Sequence, residues 1–501
     1  MIPILSAQQV RAADQYTIAH EPVKSINLME RAAQAFVNAY IEYYSPDSPV
    51  IIFCGYGNNG GDALAIGRLL HIKNYKVSIY ILANKQNYSD QFSENLIRIK
   101  NIMPGMEHYL AEEQDFPVIN DNAVVIDGLF GSGLNKKITG IANSLITYLN
   151  KQDALKVAID IPSGLFADEA STGNKFNADH TIAFQVPKLS FLFPENYQSV
   201  GHWEKVDIGL NKSFIQSLPC NNFILEKTDV KKYIRVRKEF DHKGTYGHAL
   251  IHAGNTGKMG AAILCAQACV HTGAGLTTVH IPHMESFALN VSIPEAMTLE
   301  YPILEPDLAI DLTRYSAVAI GPGIGIEVLQ KDFLLSLLKQ VTVPLVLDAD
   351  ALNILSQETN SLSLLPANSI ITPHLKEFER LAGETSDWLD RHQLQVELSA
   401  KHSIFIILKG AYTCITTPGG RSYFNPTGNP GMAKGGSGDV LTGIIVSLLA
   451  QHYTPQEASL TGVYLHGLAG DIAAKKTSVY SLLPTNIIQC IGDAYNHILY
   501  D

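Results

Sequence analysis

The sequence predicts two α/β domains, each built around a mostly parallel β-sheet with helices on both faces. A chain of 501 residues exceeds what one ordinary hydrophobic core supports. Short apolar runs without polar alternation recur between helical segments, which is typical of parallel strands buried on both faces. This rhythm breaks at residues 208–230. We therefore expect one domain over residues 1–220 and a second over residues 225–501.

The first half alternates helices and strands as a doubly wound sheet requires. A helix is expected over 6–20, with Ser6 as its N-cap, and another over 28–43. The segments that follow are strands at 49–55, 76–82, 123–131, 155–164 and 180–184, with helices at 62–71, 89–102 and 144–150. Such a sheet binds ligands beyond the carboxyl ends of its strands.

The second half resumes the same alternation after the break. Its predicted strands are 248–254, 276–282, 317–323, 343–350, 369–374 and 404–410, and its clearest helices are 260–275 and 439–451. The pattern again favours a parallel α/β sheet.

Composition and charge exclude several classes of function. A net charge of −11 argues against a general nucleic-acid binder, which usually shows a basic face. No apolar run approaches the length of a membrane span, and the N-terminus lacks the pattern of a signal peptide. The six cysteines show neither zinc nor disulfide spacing, so we expect buried thiols. We expect a cytoplasmic homo-oligomer that binds small molecules but neither nucleic acid nor membranes.

A glycine-rich turn follows the first predicted strand. In "FCGYGNNGGD", Gly55, Gly57 and Gly60 match G-x-G-x-x-G, whose backbone amides can approach a phosphate at a helix N-terminus. The next strand, 76–82, is not followed by the acid that usually binds a ribose hydroxyl, which argues against ordinary NAD binding. A tight turn without a ligand remains the alternative.

Two aspartates follow apolar strands in the same half. Asp127 lies in "VVIDGLFGSGL" and Asp160 in "VAIDIPSG". A carboxylate directly after a buried strand lies near the ligand edge of a parallel sheet. Either residue alone could be a helix cap or turn former, but their convergence on one edge favours a site.

Several motifs of the first half carry a family resemblance. The strings "LMERA", "GNNGGD", "DGLFGSGL", "AIDIPSGLFAD" and "TIAFQVPKLSF" resemble the NAD(P)H-hydrate epimerase domain of the YjeF family over residues 1–215. The resemblance implies a Rossmann-like fold that interconverts the R and S forms of the hydrated cofactors NADHX and NADPHX. It implies that Asp160 is the acid/base and also contacts the substrate, and that potassium binds at Asn59, Asp127 and Ser163. Further substrate contacts are implied at Asn58, Asn59, Gly60, Gly61, Asp62, Gly131, Ser132, Gly133, Leu134, Asn135, Lys136 and Lys137.

The most informative string of the second half is "GNPGMAKGGSGDVLTG" at residues 428–443. Gly435, Gly436 and Gly438 are expected to precede an apolar helix that begins near Asp439. Free backbone N–H groups and the helix dipole can hold a transferring phosphoryl group there. Asp439 could take the proton from an attacking hydroxyl, or could only complement the dipole.

This string resembles the ribokinase-like superfamily and, more narrowly, the NAD(P)H-hydrate dehydratase domain. Further agreement comes from "AIGPGIG", "LVLDADALN", "ITPHLKEFERL" and "ILKGAYTCI". The resemblance implies phosphorylation of the S-hydrate by ADP with Mg²⁺, then loss of phosphate to give NAD(P)H, AMP and phosphate. It implies Asp439 as catalytic residue, substrate contacts at Ala262, Gly323, His374 and Asp439, and nucleotide contacts at Lys409, Gly410, Ala411, Tyr412, Thr413 and Gly438.

Alternatives remain open at the level of sequence. The second domain shares its skeleton with small-molecule kinases, and the first could be a binding module without catalysis. The residues themselves do not decide between ADP and ATP; the resemblance favours ADP. Asp348 and Asp350 could support a magnesium–phosphate group or could cap the next helix.

Overall fold

The computed structural model describes residues 1–21, 23–83, 88–302 and 310–500. The chain folds into two compact units. The N-terminal unit is Pro3–Cys220, and the C-terminal unit is Asn221–Asp501 together with Met1–Ile2.

The N-terminal unit is a parallel sheet of seven strands with the order β4-β3-β2-β5-β6-β7-β8. Its strands are β2 (Val50–Cys54), β3 (Val77–Leu82), β4 (Glu107–Leu110), β5 (Val124–Gly128), β6 (Leu155–Ile159), β7 (His180–Phe184) and β8 (His202–Val206). Its helices are α1 (Ala7–His20), α2 (Ser25–Tyr43), α3 (Asn58–Ile72), α4 (Asp90–Ile102), α5 (Gly140–Leu149), α6 (Tyr197–Val200) and α7 (Lys212–Ser217). The predicted doubly wound sheet is confirmed.

The strand order of this sheet reverses between β2 and β5, which lie side by side. The chain runs from β2 outward to β4 on one side, and from β5 outward to β8 on the other. In doubly wound sheets, ligands bind at such a switch point, outside the carboxyl ends of the strands. The loops that follow β2 and β5 carry Gly55–Gly57 and Leu129–Ile138.

The predicted start of α1 is confirmed, whereas α2 and α5 begin three and four residues earlier than predicted, at Ser25 and Gly140. Ser6 caps α1, accepting from Gln9 N at 3.2 Å, while the Gln9 side chain accepts from Ser6 N at 2.9 Å. However, α3 begins at Asn58 and not at Asp62 as predicted. The "NNGG" segment is therefore the first turn of the helix and not part of the loop before it.

The C-terminal unit has one sheet of eleven strands in the order β1-β9-β18-β17-β16-β15-β14-β13-β10-β11-β12. Its strands are β1 (Ile2–Pro3), β9 (Asn222–Ile224), β10 (His248–His252), β11 (Leu276–Pro282), β12 (Met297–Tyr301), β13 (Ala317–Ile320), β14 (Leu345–Leu347), β15 (Ile370–Ile371), β16 (Phe405–Leu408), β17 (Cys414–Thr416) and β18 (Ser422–Phe424). The strands from β12 through β16 are parallel, and the pairs β16–β17 and β17–β18 are antiparallel.

Helices cover this sheet, and one of them is buried along most of its length. They are α8 (Lys227–Tyr233), α9 (Met259–Thr272), α10 (Ser286–Ser292), α11 (Val328–Leu338), α12 (Asp350–Leu355), α13 (Leu375–Ala382), α14 (Trp388–His402), α15 (Ser437–Ala450), α16 (Pro455–Lys476), α17 (Pro484–Gln489) and α18 (Ile491–Tyr500). The apolar α15 packs closely on α9, because Gly443 has no side chain: a methyl group there would lie 2.1 Å from the Cys265 carbonyl oxygen.

No helix among the described residues is both long and apolar enough to cross a membrane.

Candidate active sites

The first candidate site lies at the switch point of the N-terminal sheet. Gly57 is the N-cap of α3, so Asn58–Asp62 form its first turn and direct N–H groups toward the sheet edge. Gly60 is required by close packing, since a methyl group at that position would lie 2.2 Å from the Gly55 carbonyl oxygen. The arrangement suits an anionic group at the helix N-terminus.

Asp127 and Ser163 contact each other, and Asn59 of α3 lies beside Gly128 and Gly131. These are the three residues for which the family resemblance implies a potassium site. Ser163 donates to Asp127 through its N–H at 2.7 Å and its hydroxyl at 2.7 Å. Asp127 is fully buried, and burial raises its pKa to about 6 against the opposing hydrogen bonds. A methyl group at Gly131 would lie 3.3 Å from Asn59 Oδ1.

The oxygen atoms of this group suit a hard cation. The hydroxyl oxygen of Ser163 accepts from Phe130 N at 2.8 Å and lies 3.2 Å from the Phe130 carbonyl oxygen, so carboxylate, hydroxyl and carbonyl oxygens lie close together. Asn59 Nδ2 is buried and has no hydrogen-bond partner among the described residues. A side chain with an unpartnered amide can turn its oxygen to a bound ion, and hard oxygen ligands match an alkali or alkaline-earth ion.

Asp160 follows β6 and is held in an unusual backbone conformation. Its φ of 63° lies in the left-handed region, where a non-glycine residue is strained by about 1–3 kcal/mol. Its Oδ1 accepts from Lys188 Nζ at 2.5 Å and from Phe184 N at 3.0 Å. Lys188 is itself buried and donates also to the Val186 carbonyl at 3.1 Å. The predicted acid/base thus has a lysine partner that the spacing of the sequence did not reveal.

Two further carboxyl groups lie within electrostatic reach of Asp160. Burial and the charge of Asp160 raise the pKa of Asp14 to about 6, with Lys188 opposing. Burial, with Asp160 and Asp14, raises the pKa of Asp62 well above its usual value. The site therefore combines carboxyl groups that favour protonation with an aspartate paired to a lysine, which is what acid and base roles require.

The predicted phosphate loop, residues 131–137, lies between β5 and α5 on the same side of the sheet. It begins with a turn in which Leu134 N donates to the Gly131 carbonyl at 3.1 Å. A methyl group at Gly133 would lie 3.2 Å from Arg11 Nη2, and the stem of Lys137 packs against Gly173. The remaining loop residues Ser132, Asn135 and Lys136 are half-buried or exposed. Cationic groups thus face this glycine-containing turn.

The second candidate site is built around the first turn of α15. The helix begins at Ser437, two residues before the predicted start near Asp439, so Asp439 lies in its first turn as predicted and Gly438 lies inside the helix and not before it. Gly436 is the N-cap with a φ of 97°, a conformation that favours glycine. Within the described chain, the N–H groups of Gly436, Gly438 and Asp439 donate to no backbone carbonyl. They are available to an anion.

An ion pair between the half-buried Lys409 and the buried Asp348 lies directly behind this turn. Lys409, which follows β16, donates to Asp348 Oδ1 at 2.7 Å, and Thr442 of α15 donates to Asp348 Oδ2 at 2.8 Å. A methyl group at Gly438 would lie 3.3 Å from Lys409 Nζ and 3.5 Å from Asp348 Oδ2. The ammonium group, the free N–H groups and Asp439 therefore surround one small volume.

The ionisation of Asp439 responds to these neighbours. Burial and the negative charges of Asp348 and Asp350 raise its pKa to about 7, while Lys409 opposes the rise. A carboxylate with a pKa near physiological pH is well matched to general-base catalysis.

The predicted substrate contacts Ala262 and Gly323 line the other side of the sheet edge. Ala262 lies in α9 and packs against Gly254, where an added methyl group would lie 2.8 Å from the Ala262 Cβ atom. Gly323 has a φ of 67° and packs close to the Lys258 carbonyl. Asp350 connects this region, since it accepts from Gly325 N at 2.9 Å and pairs with Lys258 at 3.4 Å.

His374 is the exposed N-cap of α13. Its Nδ1 accepts from Glu377 N at 3.4 Å, and its own N–H donates to the Glu377 carboxylate at 2.8 Å. Burial raises the pKa of Glu377, while Lys409, at 3.9 Å, opposes that rise. A capping role is thus observed for His374, on the same sheet edge as Lys409.

The predicted nucleotide segment, Lys409–Thr413, is a turn between β16 and β17. Thr413 closes it by donating to the Gly410 carbonyl at 2.9 Å. Gly410 and Ala411 are exposed, and a methyl group at Gly410 would meet no atom within 4 Å. Tyr412 adopts a φ of 52° at the tip. This accessible turn begins at Lys409, whose ammonium group pairs with the buried Asp348.

Several residues of both sites were not singled out from the sequence. They are Lys188, Asp14 and Arg11 in the N-terminal unit, and Thr442, Glu377 and Lys258 in the C-terminal unit. Lys188, Glu377 and Thr442 lie inside quoted motifs, so the motifs themselves were the available signal. No spacing rule links these residues to Asp160 or Asp439.

Comparison with known families covers both units. Residues 25–190 match the family described as YjeF-related protein N-terminus, and residues 249–492 match the family described as NAD(P)H-hydrate dehydratase. The two matches lie on the N-terminal and C-terminal units respectively.

Among solved structures, the ADP/ATP-dependent NAD(P)H-hydrate dehydratase of Bacillus subtilis, co-crystallised with ATP and Mg²⁺, is 31% identical, with a TM-score of 0.51. The match covers 55% of this chain and 98% of that one. A ribokinase-like superfamily protein of Enterococcus faecalis is 33% identical, with a TM-score of 0.51, and covers 56% of this chain and 96% of its own. The predicted ribokinase-like fold of the second half is confirmed.

Full-length relatives carry the same arrangement of two domains. A bifunctional NAD(P)H-hydrate repair enzyme of Moorella thermoacetica is 33% identical over 97% of this chain and 95% of its own. One of Vibrio cholerae is 32% identical over 98% of both chains. These matches confirm the resemblance seen in the motifs. The chain belongs to the family of bifunctional NAD(P)H-hydrate repair enzymes, with an epimerase domain followed by a dehydratase domain.

Proposed function

We propose that the C-terminal unit converts the S form of hydrated NADH or NADPH to the reduced cofactor by an ADP-dependent dehydration. The observation that carries this proposal is the placement of Asp439 beside the free N–H groups of α15 and the ammonium group of Lys409. Donors and dipoles fixed around one volume stabilise a phosphoryl group in transfer, while a nearby carboxylate accepts a proton.

The reaction then follows from ordinary leaving-group chemistry. Asp439 takes the proton of the substrate hydroxyl, and the oxygen attacks the terminal phosphorus of ADP, which releases AMP. This attack forms an O–P bond. The C–O bond of the phosphorylated hydrate then breaks and inorganic phosphate leaves with that oxygen, since phosphate is a far better leaving group than hydroxide. Loss of the neighbouring proton restores the dihydronicotinamide double bond. The products are NAD(P)H, AMP and phosphate, and water enters no step.

Nucleotide and substrate are assigned to opposite parts of this edge. We assign Lys409, Gly410, Ala411, Tyr412, Thr413 and Gly438 to the nucleotide, and Ala262, Gly323, His374 and Asp439 to the hydrated cofactor. The exposed turn after β16 supports the first assignment, because it begins at the half-buried Lys409, whose ammonium group contacts Asp348. Mg²⁺ accompanies the nucleotide. Since no cluster of three His, Cys, Asp or Glu side chains suits a metal within the described residues, the nucleotide phosphates would supply most of its ligands.

We further propose that the N-terminal unit interconverts the R and S hydrates, with Asp160 as the acid/base. Its contact with Lys188 at 2.5 Å, and the protonation-prone Asp14 and Asp62 nearby, support proton transfer to and from the hydrate during epimerisation. The first turn of α3 and the 131–137 loop would bind the substrate and its phosphates. Asn59, Asp127 and Ser163 would hold K⁺, which supplies positive charge beside the bound phosphates.

One experiment tests both proposals. The full chain is given an equilibrium mixture of R and S hydrated NADH, with ADP or ATP and Mg²⁺, and the absorbance of reduced nicotinamide is followed. Complete recovery supports both activities. Recovery that stops at the S fraction contradicts the epimerase and supports a binding module. A stable phosphorylated product without recovery would identify a small-molecule kinase, and no recovery with either nucleotide refutes the dehydratase.

A further inference from the structure

The carboxylate of Asp348 is buried behind the proposed phosphoryl site, and both of its oxygens accept hydrogen bonds from the protein. It is 1% exposed, and its two oxygens accept from Lys409 Nζ at 2.7 Å and from Thr442 Oγ1 at 2.8 Å. These partners come from different elements, the end of β16 and the second turn of α15. Asp348 therefore joins the nucleotide turn to the anion-binding helix.

The backbone holds this residue firmly at the end of β14. Asp348 N donates to the Ile320 carbonyl of β13 at 3.1 Å, and its own carbonyl accepts from Ala351 N at 3.1 Å. Gly321 packs so closely that a methyl group there would lie 1.8 Å from the Asp348 carbonyl oxygen. The position of the carboxylate is thus determined by two neighbouring strands and by the start of α12.

Ala349, which lies between the two aspartates of the "DAD" turn, has a strained backbone conformation. The side chains of Asp348 and Asp350 have different partners on either side of it. The Ala349 φ of 50° is rarely adopted by a residue with a side chain and costs about 1–3 kcal/mol. Asp348 is directed to Lys409 and Thr442, while Asp350 reaches Gly325 and Lys258. Strained residues persist where the surrounding structure determines them, and they are concentrated at functional sites.

We propose that Asp348 is a positioning residue for phosphoryl transfer, which holds the Lys409 ammonium group and the first turns of α15 in one geometry without touching the nucleotide. The proposal rests on the proposed dehydratase function of this site. It assigns the Asp348 carboxylate to contacts within the protein, since the residue is 1% exposed and its two oxygens accept from Lys409 and Thr442. Its consequence is that losing Asp348 should disturb nucleotide binding through Lys409 and catalysis through Asp439.

The charge of Asp348 should also affect the pH dependence of the reaction rate, which a merely structural residue would not change. Asp348 and Asp350 disfavour ionisation of Asp439, and Lys409 favours it. Two ionisable groups of neighbouring helices also interact with this cluster: Cys265 of α9 with Asp439 and Asp348, and His466 of α16 with Lys409. Glu377 of α13 interacts with both Lys409 and Asp348. Removing the negative charge at 348 should therefore move the acidic limb of the pH–rate profile to lower pH.

The test uses the full chain with Asp348→Asn, Thr442→Val and the matched control Asp332→Asn, which changes an exposed aspartate on α11. For Asp348→Asn we expect kcat to fall roughly 10²-fold, because small misplacements at a transfer site cost that much, together with a higher KM for ADP and the acidic shift. For Thr442→Val we expect a smaller fall in kcat and an unmoved acidic limb, since the charge remains. Asp332→Asn should match the wild type.

The outcomes distinguish failure of the positioning role of Asp348 from failure of the proposed dehydratase function. A folded Asp348→Asn variant with wild-type kcat, ADP KM and acidic limb overturns it. If that variant fails to fold, Thr442→Val decides: an unchanged kcat overturns the proposal. If the wild type turns over with neither ADP nor ATP, the dehydratase proposal fails. Calorimetric titration with ADP and Mg²⁺ then decides, because unchanged ADP affinity in Asp348→Asn contradicts the positioning of Lys409.

Discussion

Lys188 Nζ lies 2.5 Å from Asp160 Oδ1, and both side chains are buried at the carboxyl edge of the N-terminal sheet. Removing only one partner of a buried ion pair strongly destabilises the fold, because it leaves the other charge buried without compensation. The Lys188–Asp160 pair also places a proton-carrying cation against the carboxylate that the epimerase proposal requires. The pair lies in the N-terminal unit, so its role can be tested separately from dehydration.

Replacing Asp160 by Asn should abolish epimerisation and spare dehydration. Asn is nearly isosteric, tolerates the left-handed φ of 63° and keeps an acceptor for Phe184 N. Loss of a general acid/base costs typically about 10²–10⁴-fold in rate. With a mixed R and S substrate, recovery should stop at the S fraction, whereas the exposed Asp153→Asn control should recover all of it. Full recovery by Asp160→Asn at the wild-type rate would exclude the acid/base role.

Dehydration should be fastest above neutral pH and should fall as the solution becomes acidic. The pKa of Asp439 is raised to about 7, chiefly by burial and by Asp348, and only the ionised carboxylate can accept a proton. We expect kcat with saturating ADP and substrate to rise through about pH 7 and then level off. A profile that is flat between pH 6 and pH 8.5 would contradict Asp439 as the base.

Gly438→Ala should leave the fold intact and weaken phosphoryl transfer. Alanine is favoured over glycine in a helix, and Gly438 lies in the first turn of α15. The added methyl group would lie 3.3 Å from Lys409 Nζ, in the volume assigned to the transferring group. Melting temperature should be unchanged or higher while kcat falls. Gly492→Ala, in α18 with no atom within 4 Å of the added methyl group, is the control.

Asp14→Asn should stabilise the N-terminal unit at neutral pH but not in acid. Because the folded pKa is raised from 3.8 to about 6, ionisation is costlier in the folded chain. That penalty is absent below the unfolded value and complete above about pH 6. After allowance for solvent screening, we expect a gain of about 1–2 kcal/mol at pH 7.5, or a few degrees in Tm. Calorimetric scans at pH 7.5 and pH 4 would reveal it, and an equal gain at both would contradict the pKa.

The two activities should respond to different cations. Exchange of K⁺ for a bulky organic cation should slow epimerisation, because Asn59, Asp127 and Ser163 present small, hard oxygen ligands. Chelation of Mg²⁺ should stop dehydration and leave epimerisation intact. Separate assays of R–S interconversion by chromatography and of NADH recovery by absorbance test this. Equal sensitivity of both activities to K⁺ would argue against a site confined to the N-terminal unit.

The sequence predicted most internal strands of both sheets but not β1, β4, β8, β9, β12, β17 and β18. Internal parallel strands are buried on both faces and so read as continuous apolar runs. In contrast, the edge strand β4 exposes His108 and Tyr109, and β8 is no more than half-buried. Such strands are defined by their pairing partners and not by local hydrophobicity.

The sequence by itself determined the two α/β halves, the family motifs, and the positions of Asp160 and Asp439 at the ligand edges. Those features depend on neighbours close in the chain, such as an apolar strand that ends in a carboxylate. Only the tertiary structure decided the pairing of Asp160 with Lys188 and of Asp348 with Lys409 and Thr442. These partners are far apart in sequence and meet because parallel strands bring their carboxyl ends to one edge. There, burial makes the paired charges interact strongly and sets the protonation on which the chemistry depends.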